Sequence, residues 1–371
     1  MRGTARLRRI ARAMRSPGLS VRTFLEKHLA RARIADLSQR VGPGLTIIEE
    51  LPIQPSYPVD VVYTWVDDKD PEFLASLNSH LPPGRRNRTT TSSARFKSHD
   101  ELRYSLRSLH AYAPWVNKIF IVTNGQRPAW ALNHPKLQFV HHDQILEADY
   151  LPTFNSHVIE SALHKIPGLS EHYIYFNDDV LLLRPLEITR AFTVAGKSYA
   201  YISQDRLVGG AATDFETATE WAGKHARDLI ERQWGLLFDR RFSHMFHAQR
   251  RSVAEACERL FPEAYDTMRR NRFRQMNDVL CCSFLHYYVG YIQGETLFRT
   301  ERGHYISVRS KQAPGEFSNL LAARGESDGL HVMCLNDYEP PGGGLSNYEE
   351  TLGRFLDEYY PAPSPYEEAV R

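Results

Sequence analysis

The sequence is short of cysteine, of surplus charge and of long apolar runs, and each shortage closes off a class of protein. Four cysteines in 371 residues (Cys257, Cys281, Cys282 and Cys334) supply neither a zinc-ligand spacing nor a disulfide framework. Two of them are neighbours, poorly placed to pair with each other, so the expectation is buried, reduced thiols in a reducing compartment. The longest apolar runs, 118–123 and 180–183, fall far short of the roughly 20 residues a membrane-spanning helix needs. The N-terminus has arginines but no continuous apolar stretch after them, so no secretory signal is read. A cytoplasmic protein is expected. With 42% apolar and 24% charged residues, the composition excludes a disordered chain or a membrane bundle. The length suffices for one large core or two domains.

Net charge is only +2, but it is unevenly spread. Residues 1–34 carry ten Lys and Arg against the single Glu26, a net +9 that leaves −7 for the remainder. Such an arm suits an anionic membrane surface at the inner face of the membrane, a helix packed on the body, a solvated tail, or nucleic acid. The acidic body argues against nucleic acid as a main partner.

The chain divides into a basic arm (1–41), a proline-punctuated linker (42–58), an α/β core (59–205), a helical lobe (206–300) and a C-terminal part completing the domain (301–371). DVVYTW, KIFIVT, LQFVH and YIYF read as strands, and 100–110 and 156–165 as helices. The polar stretches after Trp65 and over 81–94 read as loops. Strands alternating with helices, with polar residues at strand ends, are the pattern of an open α/β sheet. Three patterned segments between about 214 and 290 read as helices, and 348–359 as a last one.

The apolar run at 173–176 leads directly into Asn177, Asp178 and Asp179. Adjacent carboxylates resist joint ionisation, a cost that a divalent cation removes, and hard oxygen ligands suit Mg²⁺ or Mn²⁺. A solvated turn explains three such residues equally well. Asp67, Asp70 and Asp143 also follow predicted strands and would converge at one edge of a parallel sheet. His244 and His247 share a face if their segment is helical. Arg272 and Arg274 precede Asn277 and Asp278. Carboxylates for metal, arginine for anionic oxygens and histidine for a proton are what phosphoryl transfer requires. Asp337 serves as well as a turn cap. From spacing alone the reading is a metal-dependent α/β enzyme using nucleotides or phosphates.

A longer pattern sharpens this. DVVYTWVDDKDP at 60–71, RFKSHDELRYSLRSL onward from 95 to 130, LPTFNSH through NDDVLL at 151–182, SHMFH onward from 243, RQMND, and LHVMCLNDYE at 330–339 resemble, in order, the Stealth family of sugar-phosphate transferases. The resemblance implies a GT-A-like open nucleotide-sugar-binding sheet with an α-helical insertion, a UDP-sugar donor and a saccharide acceptor. The acceptor would attack phosphorus rather than the sugar carbon, releasing UMP; an ordinary glycosyltransferase releasing UDP is the alternative. It also implies roles for individual residues. Asn177, Asp178, Asp179, His247 and Arg274 would be catalytic, with Asp178 and Asp179 holding the metal. Asp67, Asp70, Arg95, Arg103, Asn155, Asp278, Asn336 and Asp337 would bind substrate. Either His247 or a carboxylate of the pair would take the acceptor proton. Asp68 stands where many relatives have glycine.

Overall fold

A computed structural model of the chain describes residues 55–81, 97–300, 303–325, 331–338 and 343–368. The basic arm, most of the linker, Arg95 and most of the 81–94 loop lie outside the described residues. The first elements are β1 (Val59–Thr64), α1 (Pro71–His80), α2 (Glu101–Tyr112), β2 (Ile119–Thr123), β3 (Leu137–His141), α3 (Ser156–Glu160), β4 (His172–Asn177) and β5 (Val180–Leu182). There follow α4 (Ile188–Ala191), β6 (Ser198–Arg206), α5 (Ala218–Trp234), β7 (Arg240–Phe242), β8 (His247–Arg250), α6 (Arg251–Leu260) and α7 (Pro262–Arg269). A π-helical turn at Cys281–Leu285 leads into α8 (His286–Ile292), then β9 (Thr296–Arg299), β10 (His304–Ser307), α9 (Ala313–Ala322), β11 (Val332–Asn336) and α10 (Tyr348–Tyr359).

The central sheet has the order β3-β2-β1-β4-β8, parallel except for β8, which pairs antiparallel with β4. Strands buried on both faces must be apolar at nearly every position, and the inner strands β1, β2 and β4 largely are. Alternate residues feed two different cores. Val62, Phe120, Val122, Tyr173 and Tyr175 pack with α5 to α8. Val61, Tyr63, Ile119, Ile121, Ile174 and Phe176 pack with α2. Each such side chain contributes about 1.5–3 kcal/mol of transfer free energy, so the sheet is the rigid frame of the molecule. At the N-terminal edge, fully buried Asp60 accepts hydrogen bonds from Asn117 Nδ2, Lys118 N and Ser170 N at 2.7–3.1 Å. The incoming loops are tied there, leaving the C-terminal edge for chemistry.

Two differences from the sequence reading bear on the site. The polar stretch after Trp65 contains helix α1, started by Asp70, whose side chain accepts from Glu72 N at 2.9 Å with Pro71 in the first turn. The segment containing His244 and His247 is not a helix: His247 begins β8. The stretch read as a helical lobe therefore returns a strand to the central sheet. A second sheet, β10-β11-β5, joins the C-terminal part to the core through β5. A third, β7-β6-β9, flanks them. No helix among the described residues is long and apolar enough to cross a membrane.

Candidate active site

The C-terminal ends of the central strands open onto a cavity of about 1500 Å³, where ligands bind in open α/β sheets. Its floor is made where β4 ends. The chain turns through Asp178 and Asp179 into β5, which leaves the central sheet and pairs antiparallel with β11. Leu335 N holds the turn by donating to Asp179 O at 2.8 Å. Tyr175 Oη donates to Asn177 Oδ1 at 2.7 Å and lies 3.1 Å from Thr64 Oγ1, tying the ends of β4 and β1 together.

Both aspartates are half-buried and line the cavity. Burial, then the charge of Asp179, pushes the Asp178 carboxyl up to about 7. Burial also raises Asp179, against the opposing influence of His244. A third carboxyl belongs to this group. Glu101, in the first turn of α2 and only 4% exposed, is pushed up to about 8 by burial and then by Asp178. His99 N donates to its Oε2 at 2.6 Å. Sequence reasoning passed Glu101 over, because an acidic residue in a first helical turn already has a reason to be there.

The residues fit a divalent cation. Asp179 Oδ1 is buried with no hydrogen-bond partner, and ligand atoms of Asp179, His244 and Cys334 lie within 4.8 Å of one another. Burial and the nearby Asp179 charge hold Cys334 firmly as a thiol, so it donates to Asp179 Oδ2 at 3.3 Å and orients the carboxylate. Asp179 and exposed His244, beside the Cys334 thiol, are the groups whose ligand atoms gather closely enough to hold a cation, and Asp178 adjoins them in the chain.

A cationic wall comes from the loop after α7. Arg274 Nη2 donates to Ser156 Oγ at 2.6 Å, at the start of α3. Burial lowers the guanidinium's affinity for its proton, and Glu160 and Asp278 oppose that shift. Glu160 is itself pushed up to about 7 by burial, with Arg274 pulling the other way. His247 completes this wall, its Nδ1 3.1 Å from Tyr287 Oη. Burial, then His244, lowers His247 to about 3, so its imidazole is neutral at physiological pH.

Three family models match this chain: Stealth protein conserved region 1 over residues 57–79, region 2 over 95–200 and region 3 over 243–291. The capsular polysaccharide phosphotransferase LcbA of Aeromonas hydrophila is 33% identical over 361 residues, covering 95% of this chain and 99% of that protein. The chain belongs to the Stealth family. A capsular polysaccharide phosphotransferase of Haemophilus influenzae is 35% identical, with 82% of this chain and 84% of that protein aligned. An exopolysaccharide phosphotransferase of Streptomyces coelicolor is 40% identical over 84% of this chain, and the chain spans about half of that relative's length, 52%. Among solved structures, the galactosyltransferase LgtC, in complex with donor and acceptor sugar analogues, overlaps 82% of this chain and 96% of its own, at 13% identity and a TM-score of 0.41.

In this Stealth protein Asn177, Asp178, Asp179, His247, Arg274, Asn336 and Asp337 all line the one cavity. Asp337 is held by Arg309 and by His99 Nε2 at 3.1 Å; burial would raise its carboxyl, and these two partners outweigh that and lower it. Other residues named from the sequence lie elsewhere. Asp67 and Asp70 are gathered by Gln126, whose Nε2 donates to Asp67 O at 2.9 Å and Asp70 Oδ2 at 2.8 Å, beside the cavity rather than in its lining. Arg103 pairs with Glu367 and Asp100, fastening the C-terminal segment to α2. Asn155 and Asp278 are fully buried behind the Arg274 wall. Asp278 accepts from Asn155 Nδ2 at 2.9 Å and Asn271 Nδ2 at 2.8 Å, with His157 Nδ1 3.0 Å away. The pair positions the loop that carries Arg274.

Proposed function

We propose that this Stealth protein transfers a hexose-1-phosphate, with an N-acetylhexosamine-1-phosphate as the preferred unit, from a UDP-sugar to a sugar hydroxyl in capsule or exopolysaccharide synthesis. The observation that carries this reading is the Asp178–Asp179 pair sharing one cavity with Arg274 and a neutral His247. The acceptor oxygen attacks the β-phosphorus of the donor. The bond from that phosphorus to the oxygen bridging it to the α-phosphate breaks, UMP departs with that oxygen, and a sugar–phosphate–sugar diester remains.

Asp179 and its neighbours would hold Mg²⁺ or Mn²⁺, which would neutralise the diphosphate. Arg274, braced by Ser156, offers a planar donor pair to the equatorial phosphoryl oxygens, where charge accumulates. Asp178 takes the acceptor proton. A base needs appreciable proton affinity near the working pH; burial raises that of the Asp178 carboxyl, whereas burial lowers that of His247. His247 is then a neutral hydrogen-bonding group beside the reacting centre. Asn336 and Asp337, which also line the cavity, would meet sugar hydroxyls.

The test is nucleotide release from a panel of UDP-sugars with short oligosaccharide acceptors. UMP release that needs acceptor, divalent cation and Asp179 supports the proposal; UDP release under the same conditions identifies an ordinary glycosyltransferase. The +9 arm at residues 1–34 would hold the enzyme at an anionic membrane surface. Equal co-sedimentation of the full chain and a chain lacking residues 1–34 with anionic liposomes would remove that part.

A further inference from the structure

The cavity has two ends of different character. At one, the parallel strands present Thr64, Trp65, Asn124 and His142, the edge where a nucleotide sits in such a sheet. At the other are Arg241, His244 and two tyrosines, Tyr305 and Tyr338. These tyrosines are 52% and 55% exposed although both line the cavity. Tyr305 pairs in register with Cys334 across β10 and β11, and Cys334 with Val180 across β11 and β5. Val180 follows Asp179 directly. Tyr305 therefore stands two strand spacings, about 10 Å, from the acidic floor. Its ring meets His244 edge-on at 5.9 Å, and it lies within electrostatic reach of Tyr338, Asp179 and Arg241. Tyr338 follows β11 immediately, placed by Tyr338 N donating to Asn336 O at 3.1 Å.

Single exposed aromatics need no explanation. Two neighbouring ones on the wall of a polar cavity, next to the reacting carboxylates and away from the nucleotide end, are a different case. Tyrosine offers a rigid apolar face with a polar tip at low conformational cost. A pyranose ring has the matching character, with a C–H face for the ring and hydroxyls for Arg241, Asn336 and Asp337. We infer that Tyr305 and Tyr338 form the ledge on which the acceptor saccharide lies, presenting its hydroxyl toward Asp178 and Asp179. This rests on the sugar-acceptor reading above.

The experiment uses the full chain and Tyr305→Ala, Tyr338→Ala and the matching Tyr→Phe variants. Acceptor KM is measured with chitotriose, maltotriose and cellotriose at saturating UDP-sugar, with saturation-transfer NMR of the same trisaccharides in parallel. The expected result is at least a tenfold rise in acceptor KM for each Ala variant, while donor KM holds and Phe restores most of the loss. Saturation transfer to sugar C–H protons should be seen with the natural chain and vanish in the double Ala variant. Unchanged acceptor KM in properly folded Ala variants overturns the ledge. So does saturation transfer that survives the double substitution, or none to any trisaccharide with the natural chain. The nucleotide released reports on reaction class separately, so UDP release would overturn the phosphate-transfer reading and leave the ledge standing.

Discussion

The Cys334 thiol donates to Asp179 Oδ2 at 3.3 Å, while Oδ1 of the same carboxylate is buried without a hydrogen-bond partner. A buried acceptor left unmade costs about 1–3 kcal/mol, a cost a bound cation would offset. Asp179→Asn should lower transfer by about 10²-fold or more, on the scale of losing a principal electrostatic stabiliser. It should also abolish the stabilisation that divalent cation gives the natural chain, on the order of 2–3 kcal/mol at 100 times Kd and read as a rise in Tm. Thermal melts with EDTA, Mg²⁺ and Mn²⁺ check both; an undiminished Mg²⁺ shift in the variant would place the cation elsewhere.

The raised carboxyls set the sign of the pH dependence. An acid whose folded pKa exceeds its unfolded one binds more protons when folded, so stability falls as pH rises between the two values. Asp178 and Glu160, near 7, and Glu101, near 8, act this way. His142, His247 and His286 are lowered by burial to about 4, 3 and 3, so they act oppositely, an effect that fades as pH rises past about 6.5. Glu367, lowered to about 2 because Arg107 and Arg103 outweigh its burial, loses its stabilising effect only in acid. Between pH 6.5 and 8 the raised carboxyls outweigh the fading histidine effect. In EDTA, Tm should fall across that window, and Mg²⁺ should flatten the fall; a Tm that climbs from pH 6.5 to 8 would contradict the burial of these groups.

Arg274 tests geometry against charge. Lysine keeps the charge but not the planar fork, so Arg274→Lys should cost roughly 10- to 100-fold in kcat with little change in donor KM. Steady-state kinetics read the split. Wild-type kcat in the lysine variant would mean that the phosphoryl oxygens need only a nearby cation.

Asp278→Ala should behave differently from Asp179→Asn. It strands Asn155, His157 and Asn271 inside the protein, a loss of about 3 kcal/mol or more. Urea unfolding should show that drop. The fraction that remains folded should bind donor within about threefold of the natural chain, because Asp278 braces the Arg274 loop and is not itself part of the cavity lining.

What the sequence discloses tracks how local the deciding interaction is. β1 to β4 are legible because strands covered on both faces are continuous apolar runs closed by Asn, Asp or Gly. Tyr348–Tyr359 is legible from its period alone. Helix α1 is masked because the acidic run before it reads as loop, although Asp70, Pro71 and Glu72 spell a helix start. β8 is different: its pairing with β4 spans some 70 residues, and nothing in SHMFHAQR announces a strand over a helix face. Among site residues, the double aspartate is plain in the sequence. Glu101 is a member only through its approach to Asp178. Asp278 finds Asn155 across the fold, so its structural role is invisible until the chain is folded.

The measurement that bears most directly on the central claim is ³¹P NMR of the reaction of a UDP-sugar with an oligosaccharide acceptor. Hexose-1-phosphate transfer predicts a new sugar–phosphate–sugar diester resonance growing in step with UMP, absent in EDTA and with Asp179→Asn. A product carrying no phosphorus, with UDP accumulating instead, would contradict it.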